Sequence, residues 1–143
     1  MLDKRKFYIN GVWTNPIIKN DFNVINPSNE QSYATISLGN KSDVDLAVDS
    51  AKKAFFTWSQ IEKRERIILL ENLLKIYKSR WDEITQTMSD EMGAPLDWSS
   101  SAQTSSGADH INDFILRLKN FEFERRFNKN SNNYIVYEPI GVC

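Results

Sequence analysis

The chain has 143 residues, of which 41% are apolar and 26% charged; this is enough for one globular domain and argues against a disordered polypeptide. The formal net charge of −1 gives no general attraction to nucleic acid, and no apolar run approaches the ~20 residues of a membrane helix, so we expect neither partner. Cys143 is the only cysteine and His110 the only histidine, which excludes an intrachain disulfide and Cys/His metal sites and favours a reducing, cytoplasmic compartment.

Strands are predicted for the first third of the chain, over about residues 7–36. Asn10-Gly11 lies between apolar residues and is typical of a type I′ hairpin turn, because both positions tolerate positive φ. The run Asn26-Pro27-Ser28-Asn29 is a strong turn signal between two further strands, at residues 22–25 and 33–36. This pattern predicts a hairpin followed by a meander of short antiparallel strands.

Four helices are predicted next, over about residues 43–121. The first has Ser42 as its expected N-cap, and the second covers about residues 63–79 with an apolar stripe on one side. The third begins near Trp81 and ends at Gly93, which suits a left-handed C′ position. The fourth is expected to start at Pro95 and to reach about Phe121. The stripe of the second helix is expected to contain Ile67, Leu70, Leu74 and Tyr77.

The end of the chain predicts a loop and then a strand. Residues 122–133 are polar and indicate a loop. Tyr134-Ile135-Val136-Tyr137 is β-branched or aromatic throughout and predicts a last strand, which Pro139 interrupts.

The groups that usually carry chemistry are sparse and scattered. The five glycines form neither G-x-G-x-x-G nor a P-loop, so no phosphate-binding turn is predicted. His110 is expected on a helix surface, because the neighbouring Asp109 and Asp113 radiate from the same helix and cannot converge on a substrate. Cys143 is interpreted as a small buried residue in a strand, and Glu91 as a solvated residue in the last turn of a helix. We therefore predict no catalytic and no cofactor-binding residue in this chain.

Six segments, taken in order and at their spacing, resemble one known family, the NAD(P)-dependent aldehyde dehydrogenases. Glu30 departs from the family pattern where glycine is frequent, and Ala94 departs where lysine is frequent. The segments are Phe7 to Trp13 (Y-I-N-G-x-W), Val24 to Ser28 (V-x-N-P-[AS]), Asp45 to Trp58 (D-x-A-V-x-x-A-x-x-A-F-x-x-W), Arg66 to Leu69 (R-x-x-[IL]-L), Glu91 to Pro95 (E-x-G-x-P) and Glu138 to Val142 (E-P-[IV]-G-V).

The resemblance implies an α/β fold, the N-terminal part of an enzyme with a Rossmann-like cofactor domain, a catalytic domain and an oligomerisation sheet. Residues 1–130 would be the first part of the cofactor-binding domain, with an antiparallel hairpin and four packing helices. Residues 131–143 would begin the oligomerisation strand. The complete enzyme would oxidise an aldehyde to a carboxylic acid with NAD or NADP, through a cysteine thiohemiacetal and thioester, with the catalytic domain and its residues beyond Cys143.

Two more expectations follow from the resemblance. A structural sodium or potassium ion would be held by the backbone carbonyls of Val24, Ile25 and Glu91, unless these carbonyls simply bond to neighbouring backbone or water. The strand around residues 133–138 would pair with a second copy in a homodimer or homotetramer. The competing hypothesis is a truncated, non-enzymatic interaction or regulatory module derived from the same family. Neither the aldehyde, the choice between NAD and NADP, nor the subunit number is encoded in these residues.

Overall fold

A computed structural model describes all 143 residues as an α/β molecule with seven short strands and a layer of helices. The strands are β1 (Leu2–Lys4), β2 (Phe7–Ile9), β3 (Val12–Thr14), β4 (Asp21–Asn26), β5 (Gln31–Ser37), β6 (Glu124–Arg126) and β7 (Tyr134–Val136). The helices are α1 (Lys41–Trp58), α2 (Lys63–Ser79), α3 (Trp81–Met92), α4 (Leu96–Trp98) and α5 (Ser105–Asn120), with a π-helical stretch, Ser99–Thr104, joining the last two.

The strands form three separate sheets. β2 and β3 form the predicted hairpin, whose turn residues Asn10 and Gly11 have φ values of 53° and 78°. β4 and β5 pair antiparallel, also as predicted. The hairpin is a separate sheet, and β5 also pairs in parallel with β1, a strand that the sequence pattern did not predict.

The turn between β4 and β5 contains a residue in the left-handed region. Glu30 has a φ of 58°, and its amide donates to the Asn26 carbonyl at 2.8 Å. The Asn26 side chain accepts a hydrogen bond from the Ser28 amide at 2.9 Å. Asparagine commonly stabilises turns by bonding the backbone two residues further on. Glu30 therefore occupies a conformation that glycine adopts at lower cost.

The first helix begins at a different cap from the predicted one. Asn40, not Ser42, is the N-cap of α1: its side chain accepts from the amides of Ser42 and Asp43, and Asp43 accepts from the Asn40 amide in return. The buried Asp43 carboxylate also accepts from the Ile17 amide at 2.9 Å. Asn40 is the N-cap because this reciprocal capping box gives acceptors both to the first amides of the helix and to the Asn40 amide itself.

The helical layer packs through α2 and α5, and its apolar core is small. α2 and α3 have the predicted bounds, and α3 ends at Gly93 with a φ of 71°. Ala34, Ala108 and Ile115 are the buried apolar residues of the whole chain. The predicted apolar stripe of α2 is only half-buried, so this helix has a face with incomplete cover.

The predicted fourth helix is interrupted by its π-helical stretch. Proline is the N-cap rather than the first helical residue, and the helix ends at Asn120. Thr104 is fully buried within the stretch; its carbonyl accepts from the Tyr77 hydroxyl at 3.0 Å, and its hydroxyl lies 2.9 Å from that of Thr85. The Tyr77 hydroxyl also occupies the space where a side chain on Gly107 would lie. Contacts from α2 and α3 therefore stabilise a stretch whose own helix propensity is weak.

The chain finishes with a two-stranded sheet, β6–β7, here called the ribbon. β7 is shorter than predicted, and β6 lies within residues 122–133, where a loop was predicted. Because these two strands pair only with each other, the outer edge of each is free of backbone partners within the chain. No helix of the molecule combines the length and the apolar character needed to span a bilayer.

Candidate functional site

The residues expected to offer carbonyls to a cation lie on two elements that pack together. Val24 and Ile25 are adjacent on β4, and Glu91 is in the last turn of α3, which contacts β4. The pairing of β4 with β5 passes from Val24–Ala34 to Ile25–Ser32, so Tyr33 has no partner on β4. Such a bulge disrupts the ladder locally, and backbone groups beside it become available to other partners.

The surroundings of this bulge are close-packed and negatively charged. A Cβ added at Gly93 would lie 2.8 Å from Pro27 Cγ and 3.2 Å from Ser28 Oγ, so the turn between β4 and β5 presses directly on the end of α3. Burial raises the pKa of Tyr33, and the negative charges of Glu91 and Asp90 raise this pKa further. The two carboxylates therefore produce a negative potential beside the bulge, which suits a cation.

No cluster of three or more His, Cys, Asp or Glu side chains is arranged to hold a metal ion. A hard monovalent cation beside the bulge would therefore rely mainly on backbone oxygens. Val24 and Ile25 thus flank the bulge on a strand that contacts α3, the helix that contains Glu91.

The scattered reactive groups are not brought together. His110 is exposed on α5, as predicted, and its side chain forms no hydrogen bond. The prediction for Cys143 is wrong: this residue is exposed and outside any strand, and its thiol forms one hydrogen bond, to the Gly141 carbonyl at 3.9 Å. Glu91 is exposed in the last turn of α3, as predicted. His110, Cys143 and Glu91 form no hydrogen bond with one another, so they do not make the nucleophile–base pair that acyl-transfer chemistry would require.

A cleft of about 400 Å³ near the N-terminus is lined by three cations and two carboxylates, and both carboxylates are paired. Hydrogen bonds from Arg5 lower the pKa of Asp3 to about 2. For Asp21, burial opposes ionisation, but hydrogen bonds and charge from Lys19 and Arg5 lower its pKa overall. Arg5 lies 2.6 Å from Asp3 and 3.3 Å from Asp21, so its charge is already paired and offers no vacant anion site.

The ribbon presents apolar side chains to solvent. Tyr134 and Val136 are 50% and 54% exposed, whereas Ile135 between them is half-buried. Arg126 lies over the Tyr134 ring at 5.9 Å from its centroid. An exposed apolar strand with a free edge is a template for pairing with another strand.

The family comparison agrees with the motifs and the fold. The model of the aldehyde dehydrogenase family matches residues 13–143. The chain belongs to the aldehyde dehydrogenase family. Its curated relatives include a 3-succinoylsemialdehyde-pyridine dehydrogenase from a Pseudomonas species, 38% identical over 100% of this chain and 30% of the relative. A putative aldehyde dehydrogenase of Staphylococcus aureus is 37% identical over 99% of this chain and 29% of its own length.

Solved aldehyde dehydrogenase structures contain the same fold in their N-terminal part. The enzyme from Bartonella henselae superposes with a TM-score of 0.91 at 45% identity, covering 92% of this chain and 28% of that one. Aldehyde dehydrogenase C from Pseudomonas syringae, solved with NAD+ and octanal, has a TM-score of 0.84 at 30% identity, covering 87% of this chain and 26% of that one. The chain thus spans under a third of the length of these aldehyde dehydrogenases.

Proposed function

We propose that this chain is the N-terminal part of an enzyme that oxidises an aldehyde to a carboxylic acid with NAD or NADP. The match to the family over residues 13–143 supports this function most strongly. The Pseudomonas syringae relative, at 30% identity, was solved with NAD+ and octanal, which supports the cofactor and an aldehyde substrate. In the complete enzyme, attack by a cysteine thiolate on the aldehyde carbonyl would precede hydride transfer and hydrolysis.

The positive-φ glycines of this chain do not form a phosphate-binding turn. Gly11 and Gly93 have positive φ in a hairpin and at a helix end, and Gly141 has a φ of 133° near the last residue; none opens a helix beneath a phosphate. The cofactor would therefore be held by residues outside this chain. We propose that residues 1–130 form the first part of the cofactor-binding domain, that residues 131–143 begin the oligomerisation strand, and that the protein is cytoplasmic.

The chain alone is expected to be inactive, because its only thiol, Cys143, is hydrogen-bonded to no general base. Purified chain would be mixed with NAD or NADP and a panel of aldehydes, while the absorbance of reduced cofactor is followed. Turnover above a buffer blank would contradict this expectation. The competing hypothesis, a non-enzymatic module, is tested on the gene: a reading frame that continues past the Cys143 codon into a P-W-N segment supports the enzyme, and a stop codon supports the module.

We further propose that the bulge beside Tyr33 holds a sodium or potassium ion, bound by the carbonyls of Val24, Ile25 and Glu91. The interrupted ladder and the negative charges on α3 support this site. Thermal unfolding would be compared in potassium chloride and in choline chloride at equal ionic strength, because an ion that binds only the folded state raises the midpoint with concentration. Equal midpoints in both salts would count against the site.

Association of two copies through the ribbon is the expected route to a dimer or tetramer. The free edge and the exposed Val136 side chain support this route. Val136→Lys should reduce association by charging the edge, whereas Asn132→Lys adds the same charge outside the strand and should change little. Sedimentation velocity of the three proteins would measure the effect, and a stable monomer for the unmodified chain at high concentration would refute this route.

A further inference from the structure

Three cations stand in the first turn of α2, at the end where a helix disfavours positive charge. Lys63, Arg64 and Arg66 lie within the first four residues after the N-cap Glu62, with Glu65 between them. The amides at a helix N-terminus carry a partial positive charge, so cations there need other partners to compensate. Arg64 is exposed and forms no hydrogen bond or ion pair, but Lys63 and Arg66 are half-buried and face a cleft of about 340 Å³.

Arg66 lies between the end of α1 and the ribbon. Its Nη2 donates to the carbonyls of Trp58 and Ser59, at 3.3 and 3.2 Å. Its guanidinium carbon is 6.0 Å from the centre of the Trp58 ring and 5.9 Å from that of Phe123. Its Nε is buried without a hydrogen-bond partner, and no carboxylate pairs with the charge. The two aromatic rings and the two carbonyls are thus the groups that stabilise the positive charge of Arg66.

Lys63 holds the end of α5, next to the region that Arg66 contacts. Its Nζ donates to the carbonyls of Lys119 and Phe121, at 3.2 and 3.1 Å, where α5 ends and the chain turns toward β6. A lysine that bonds the last carbonyls of a helix also interacts favourably with the helix dipole. The direction in which the chain leaves α5 is therefore fixed from α2.

A cluster of aromatic side chains connects these contacts of α2 to the ribbon. Phe121 lies 4.9 Å from Phe123 and 5.3 Å from Tyr137, measured between ring centres. The Tyr137 amide donates to the Phe123 carbonyl at 2.8 Å, which closes the ribbon at this end. The far end of the ribbon, where Phe127 donates to the Asn133 carbonyl, has no such support from α2.

We propose that Lys63 and Arg66 form an anchor that positions the ribbon on the helical layer, so that α2 determines where the free edge of β7 points. The consequence for assembly rests on the association proposed above. The anchor itself is independent of that association, because it is a property of the single chain. Arg66 is thus a positioning residue for the association surface without touching that surface.

Hydrogen exchange followed residue by residue would test the anchor. In Arg66→Lys the charge remains, but the planar group that stacks on two rings is lost. Protection of the Tyr137 amide should fall by about tenfold, the order expected when two ordinary cation–π contacts are removed. Protection within α3 should not change. The matched control is Arg64→Lys, the same substitution on the same helical turn, which should leave the Tyr137 amide as it was.

A second variant separates the anchor from the general stability of α2. Phe123→Leu keeps apolar bulk beside the ribbon but removes the ring beneath Arg66, and it should lower protection of the Tyr137 amide without affecting α2. Unchanged Tyr137 protection in either Arg66→Lys or Phe123→Leu would overturn the anchor, as would an equal loss across α3. Sedimentation of the same proteins reports association separately: a monomeric unmodified chain refutes the ribbon as an association surface, while the exchange result still decides the anchor.

Discussion

Glu30→Gly should stabilise the protein, because it removes a side chain from a left-handed position. The φ of Glu30 is 58°, in a turn held by the bond from its amide to the Asn26 carbonyl. A residue with a Cβ costs about 1–2 kcal/mol in this conformation. Glycine relieves that strain without losing the backbone bond. The resemblance also places glycine at this position in many family members.

The gain is smaller than the strain, because glycine adds freedom to the unfolded chain. That added entropy offsets roughly 0.5–1 kcal/mol. The expected net stabilisation is therefore about 0.5–1 kcal/mol, which corresponds to a rise of about 2–3 °C in the melting midpoint for a chain of this size. The Glu30 side chain forms no hydrogen bond and no ion pair, so its removal breaks no such interaction.

The measurement is thermal and urea unfolding followed by far-UV circular dichroism at low protein concentration, which limits association. Glu122→Gly is the matched control, because it removes the same side chain from an exposed position outside helices and strands that lacks positive φ. This control should be neutral or slightly destabilising. A Glu30→Gly midpoint no higher than that of Glu122→Gly would refute the argument from backbone strain.

Three more predictions concern helix packing, capping and charge. Gly107→Ala should destabilise the protein by about 1–3 kcal/mol in urea unfolding, despite the better helix propensity of alanine, because its methyl group would displace the Tyr77 hydroxyl. The double variant with Tyr77→Phe should lose less stability than the sum of the two single losses. Asp43→Ala should cost about 2 kcal/mol by the same assay, through loss of the capping box and of the acceptor for a loop amide, and Asp43→Asn less. By NMR titration Asp3 should show a pKa of about 2, below its ordinary 3.8, so its contribution to stability is complete above pH ~4 and disappears as the pH falls through 2. Arg5→Gln should return that pKa toward its ordinary value.

The sequence predicted the elements whose signals are local. The Asn10-Gly11 turn, the body of α2 and the end of α3 at Gly93 follow from positive φ, apolar spacing and helix capping, which involve neighbours in the chain. β1 escaped prediction because three residues carry little pattern and its partner, β5, is about 30 residues away. The aldehyde dehydrogenase motifs supplied the family, which no local rule would have given.

The missed features depend on contacts between distant elements. The π-helical stretch is stabilised by Tyr77 and Thr85 from other helices, so its own Ser/Thr-rich sequence indicates only weak helix propensity. β6 is a polar segment that becomes a strand because β7 folds back on it. At the candidate cation site, the motifs pointed to Val24, Ile25 and Glu91, but the unpaired Tyr33 and its bulge could be recognised only once the register of β4 and β5 was known.

The π-helical stretch also affects how the chain can tolerate a change in length. Each i→i+5 bond encloses one residue more than an α-helical bond, so residues 99–104 accommodate a residue that a regular helix would not need. Deleting one residue from the exposed side of this stretch, such as Ser101, would convert it to an ordinary turn and leave α5 facing α2 as before. Deleting one residue from the middle of α5 would instead rotate everything beyond it by about 100° and expose Ile115. Single-residue gaps among related proteins should therefore collect in the stretch and be rare in α5.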